Sequence, residues 1–122
     1  MNKQYRELFQ MVARNGAINA EKALENLKPE QGSKEYDSLV IMRDSFNQIE
    51  DRLLKGDDKL DHVDYVKLYA AAIVTKNLMQ KNIDTWTAVV KEYDENLIPK
   101  LYEVANESDQ EKRDSLIEEY FS

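Results

Sequence analysis

The 122-residue chain has no cysteine, one histidine, three glycines and two prolines. Without cysteine there is no disulfide, thiolate zinc site, iron–sulfur cluster or thiol nucleophile. A single histidine excludes any metal site that needs two. The longest apolar run, Leu68 to Val74, is far shorter than the ~20 residues that span a bilayer. The opening Met1-Asn2-Lys3-Gln4-Tyr5-Arg6 lacks the apolar stretch of a secretory signal, so the expected setting is cytoplasmic. What is present is 42% hydrophobic and 34% charged, a composition that folds as a single domain over residues 1–122.

Scarce glycine and proline, with apolar residues every three or four positions, predict an all-α protein: a compact bundle or stacked helical hairpins of five to seven helices. The first helix is expected from Asn2 to Arg14, with Tyr5, Leu8, Phe9 and Val12 inward and Asn15-Gly16 as a left-handed stop. A short second helix should start at Asn19, carry Ala20, Ala23, Leu24 and Leu27 inward, and end near Pro29. Ser33 caps a third that runs to Lys55 and is closed by Gly56. Its apolar residues Tyr36, Leu39, Met42, Phe46, Ile49 and Leu53 follow a near-heptad seam. Asp61 caps the next helical stretch, which continues to about Asn106 with a bend near Lys81-Asn82. From Met79 a second stripe, Ile83, Trp86, Val90, Tyr93, Leu97, Leu101 and Val104, keeps heptad-like spacing, and Pro99 should kink the helix or open a new one. Ser108-Asp109-Gln110-Glu111 matches a capping box for a last helix with Leu116, Ile117, Tyr120 and Phe121 inward. No internal repeat is evident.

Charge divides the chain. Residues 1–56 hold nine acids and nine bases, whereas residues 57–122 hold fifteen acids and eight bases and carry the whole net charge of −7. Lys67, Lys76, Lys81 and Lys91 form no single stripe on an ideal helix, which argues against direct nucleic-acid binding. Glu103, Glu107, Glu111, Asp114 and Glu118 are spaced 4, 4, 3 and 4 and would line one face of a continuous helix. Such a face could dock a protein with a basic surface, or occupy the nucleic-acid groove of a partner protein as an acidic inhibitor. Carboxylates one turn apart rise by about 6 Å against ~1.7 Å per charge in duplex DNA, so one helix is a dilute phosphate mimic. The bland alternative is a solvated face that maintains solubility.

Candidates for chemistry are few. Asp57, Asp58, Asp61, His62 and Asp64 are the densest set of oxygen and nitrogen ligands, but their glycine precedes the acids, unlike a calcium loop. Capping by Asp61 and dipole pairing by Asp64 account for most of the set, and His62 is expected to be an exposed polar residue. Glu92-Tyr93-Asp94-Glu95 and Glu111-Lys112-Arg113-Asp114 give an ExxE…ExxD pattern. It resembles the paired motifs of helical nucleotide pyrophosphatases of the MazG and dimeric dUTPase group. That resemblance, confined to these four acids, implies Mg²⁺ held against substrate phosphates. The residues themselves assign no catalytic group, cofactor or metal. They favour a small acidic, non-enzymatic protein-interaction module with no membrane contact. A homodimer through the stripes of 36–53 or 79–104 is left open. Lys, Asn, Asp and Ile usage hints at an AT-rich bacterium or its phage.

Overall fold

The computed structural model describes residues 1–78 and 96–122, with backbone alone at 77 and 78. The described residues are all-α: α1 (Lys3–Leu27), α2 (Lys34–Leu54), α3 (His62–Leu78), α4 (Leu97–Asn106) and α5 (Gln110–Phe121). Among them there is no strand, and no helix is long and apolar enough to cross a membrane. The expected bend at Lys81-Asn82 and the stripe residues Ile83, Trp86, Val90 and Tyr93 lie outside the described residues, whereas Leu97, Leu101 and Val104 of the same stripe are buried.

One helix replaces the two expected between Asn2 and Pro29. Asn2 caps it, accepting the Tyr5 N–H at 3.0 Å, and the helix then runs unbroken through Gly16. The glycine does not stop the chain because it has a different task. Gly16 is buried, and a Cβ there would stand 2.8 Å from Cδ2 of Phe46 on α2. The missing side chain therefore admits an aromatic ring onto the α1 backbone. Burying that ring is worth about 2–3 kcal/mol, more than the ~1 kcal/mol that glycine costs inside a helix. Ala13, Ala17 and Ala20 continue the same close-packed face. The helix ends instead at Lys28, in the left-handed region at φ 44°, directly before Pro29. Leu27, expected inward, is 74% exposed beside this turn.

The turn at 28–33 returns α2 antiparallel to α1. Gly16 meets Phe46, Arg14 reaches Glu50 and Glu21 binds Arg43, so one number falls as the other rises. Ser33 caps α2 through the Tyr36 N–H at 3.2 Å, and Gly56 takes φ +85° after its last turn, both as expected. Only half of the seam is covered: Phe46, Ile49 and Leu53 are buried, whereas Met42 is 46% exposed. The physical reason is that α2 and α3 both pack on α1 but scarcely on one another. They leave a groove where Met42 would otherwise find a neighbour.

α3 packs on α1 and α4, and α5 folds back over the start of α1. Phe9 stands at the centre, edge-on to Tyr65 at 6.1 Å and to Phe121 at 5.0 Å, while Tyr5 meets Phe121 at 5.0 Å. Such edge-to-face contacts add to area burial. The Asn2 N–H donates to the Phe121 carbonyl at 2.8 Å, so the two ends of the fold meet. Pro99 occupies the first turn of α4, where its missing N–H has no helical partner to lose.

Candidate functional site

Two acidic regions were singled out by the sequence, and the structure treats them differently. Around the start of α3 the carboxylates are engaged. Asp61 and Asp64 cap reciprocally: Asp61 Oδ1 accepts the Asp64 N–H at 2.9 Å, and Asp64 Oδ2 accepts the Asp61 N–H at 3.0 Å. This is a capping box built from two aspartates. The Asp64 N–H bond, aided by the Arg52 charge, holds the Asp61 carboxyl below its ordinary pKa against a smaller opposing effect of burial. Asp64 is buried and receives Arg52 Nη1 at 3.2 Å. The same guanidinium donates to the Lys59 carbonyl at 2.8 Å and approaches Asp57 at 3.6 Å. Asp58 lies 3.5 Å from the amino group of Met1.

His62 is not the exposed residue expected. It is half-buried, and its Nε2 lies 2.6 Å from the Ala105 carbonyl near the end of α4. With Nε2 as donor, this bond satisfies a carbonyl that the terminating helix leaves open. The five side chains thus staple the α2–α3 connection to its neighbours. No group of three or more potential ligands poised for a metal occurs among the described residues.

At the other end of the chain the acids lie on two helices. The run of five does not share one helix, because α4 ends at Asn106 and α5 starts at Gln110. Asp109 is the cap, not Ser108: its Oδ1 accepts the N–H groups of Glu111 at 2.9 Å and Lys112 at 3.2 Å. A charged carboxylate at the helix N-terminus outcompetes the neighbouring hydroxyl. Glu103 accepts the Tyr120 hydroxyl, which ties α5 to α4 and pushes the Tyr120 pKa up. Glu107 turns back to accept the Asp109 N–H at 3.1 Å, and its carbonyl accepts Arg113 Nη1 at 2.9 Å.

Glu111 and Glu118 remain on the outer face of α5 and Asp114 on its flank, where its charge reaches the buried Tyr65 hydroxyl; all three are exposed. Among the described residues none of the three has a cation within 4 Å. At ~100° per residue Glu111 and Glu118 nearly eclipse, with Asp114 to one side. Glu119 lies to the other side and was missed in the sequence reading, although its helical offset from Glu111 was the available signal. Glu107, Glu111, Lys112, Ser115, Leu116 and Glu119 enclose a shallow cleft of about 450 Å³. Of the four acids of the ExxE…ExxD pattern, Glu92 and Glu95 lie outside the described residues, and Glu111 and Asp114 point to solvent. No known family model, curated protein or solved structure matches the chain.

Proposed function

We propose that this protein is a helical interaction module that binds a protein with a basic surface through the outer face of α5. One observation carries the reading: Glu111, Asp114 and Glu118 are exposed, and none of them forms an ion pair among the described residues. Carboxylates already committed to caps and ion pairs have little left to offer a partner, whereas these three are available. Their field steers a basic surface toward α5 and fixes its register more than it adds affinity. The adjoining cleft, whose three carboxylates outnumber its one described cation, Lys112, suits a lysine or arginine side chain. Its aliphatic stem lies along Leu116 while the cation meets Glu107, Glu111 and Glu119. Glu103 and Glu107 flank the face as secondary contributors, since each already serves α4 or the turn that follows it.

The experiment is capture of partners from a lysate treated with nuclease, using the wild-type chain and the triple variant Glu111→Lys, Asp114→Lys, Glu118→Lys. The wild type should retain a stoichiometric protein that elutes as salt rises, because exposed charges are screened over about 8–10 Å at physiological ionic strength. The triple variant should keep its thermal melt and lose that protein. Equal retention by both chains would overturn the assignment.

A further inference from the structure

The described connections between helices are of two kinds. Between α1 and α2 the chain passes through Lys28 at φ 44°, Pro29 and Gly32 at φ 87°, and between α2 and α3 through Gly56 at φ 85°. No helix continues through such a backbone. Between α4 and α5 the stop is softer. Glu107 has φ −82° and ψ 109°, Asp109 has φ −78° and ψ 120°, and Ser108 between them has no positive φ. Both printed φ values already suit a helix, so turning ψ to about −42° would join α4 to α5. Residues 100–121 hold neither glycine nor proline to resist it. The bend is held instead by the Asp109 cap, by Glu107 and by the seating of Phe121, the one buried residue of α5. That seat belongs to α1 and α3. Phe121 meets Tyr5 and Phe9 edge-on at 5.0 Å and lies parallel to Tyr65 at 6.1 Å, and none of these rings is on α4.

We infer that residues 107–109 are a hinge through which α5 exchanges between two copies of this chain, each Phe121 entering the Tyr5–Phe9–Tyr65 seat of the other copy. The closed form fixes the occupant: α5 fills this seat already, so an α5 of identical sequence fills it with the same contacts. Exchange remakes the ring contacts, the Asn2–Phe121 bond and the Tyr120–Glu103 bond between copies, and only the hinge differs. There α4 and α5 become one helix over 97–121, about 37 Å long. The Asp109 cap and the Arg113 bond to the Glu107 carbonyl are lost, and helical hydrogen bonds across 107–109 replace them. Charge opposes the change. Glu103, Glu107, Glu111, Asp114 and Glu118, spaced 4, 4, 3 and 4, then line one face and repel one another. Salt screens that repulsion, so the exchanged dimer gains as ionic strength rises. This is opposite to the salt dependence of a basic partner on α5, and the exchange needs no such partner.

The test is sedimentation equilibrium of the full chain after refolding from urea at millimolar concentration, in low and high salt. The wild type should contain a dimer, more of it in high salt. Ser108→Pro forbids the continuous helix, while the extended ψ of Glu107 already suits a following proline, so this variant should fold and stay monomeric. Asp109→Ala removes a cap that only the bent form uses and should raise the association constant about tenfold or more. The chain has no cysteine, and the Asn2–Phe121 bond brings positions 3 and 122 close together. In the dimer from co-refolded Lys3→Cys and Ser122→Cys chains, a short bis-maleimide should therefore join one copy to the other through these two cysteines. Wild type and Asp109→Ala that both stay monomeric overturn the inference, as does a Ser108→Pro chain that dimerises like the wild type. A dimer without the 3–122 crosslink is held by another surface, and that result overturns it too.

Discussion

The connection between α2 and α3 and the outer face of α5 are both dense in carboxylates, yet they are opposites in use. In the first, Asp57, Asp58, Asp61 and Asp64 each have a hydrogen bond or ion pair within the fold. In the second, Glu111, Asp114 and Glu118 form no ion pair among the described residues. Acid density alone therefore says little. What separates a structural cluster from a recognition face is whether each oxygen already has a donor.

Removing Arg52 should break the first region most severely. Arg52→Met leaves the buried Asp64 charge with no cation and should cost about 2–3 kcal/mol in a urea melt, below the range for fully buried pairs because Arg52 is partly exposed. Arg52→Lys should recover only part, since an ammonium cannot span Asp64, Asp57 and the Lys59 carbonyl as a fork does. An unchanged midpoint for Arg52→Met would show that the cluster is not structural. Asp61→Ala should cost about 1 kcal/mol, the usual value of an N-cap.

The pH dependence has a definite sign. Because the folded pKa of Asp61 lies below its ordinary value, its contribution is complete above the ordinary carboxylate range. That contribution is lost as pH falls through the lowered folded value. Urea midpoints of the wild type and Asp61→Ala should therefore converge in acid; a constant gap would exclude Asp61 as the source. The smallest expected effect belongs to α5, where the triple charge reversal should shift stability by no more than about 0.5 kcal/mol. A large loss there would mean that those acids are structural after all, and the contrast between the regions would collapse.

The punctuation of the fold was legible wherever a residue acts locally. Ser33 and Asp61 cap the helices assigned to them, and Gly56 closes α2. Pro99 sits in the first turn of α4. Gly16 misled because a glycine that ends a helix and one that admits a neighbour look alike in a single sequence. The informative signal was its company: Ala13, Ala17 and Ala20 extend the face of Phe9 and Val12 across the supposed break. The role of His62 depends on Ala105, 43 residues away, and no local pattern encodes that contact. The acids of α5 were found from spacing, but their division between two helices required the position of the Asp109 cap. The groove was hidden because no local pattern encodes the divergence of α2 from α3.

The bond between the Asn2 N–H and the Phe121 carbonyl bears on how the chain folds in time. The α1–α2 hairpin closes over a short turn, whereas this contact closes a loop of nearly the whole chain, whose entropic cost grows with the logarithm of its length. The hairpin is therefore the early event and the seating of Phe121 beside Phe9 a late one. A circular permutant that joins residue 122 to residue 1 through a short linker and opens the chain within 29–32 would reverse that order. It should acquire the aromatic centre first, and α2 would become the last helix to dock.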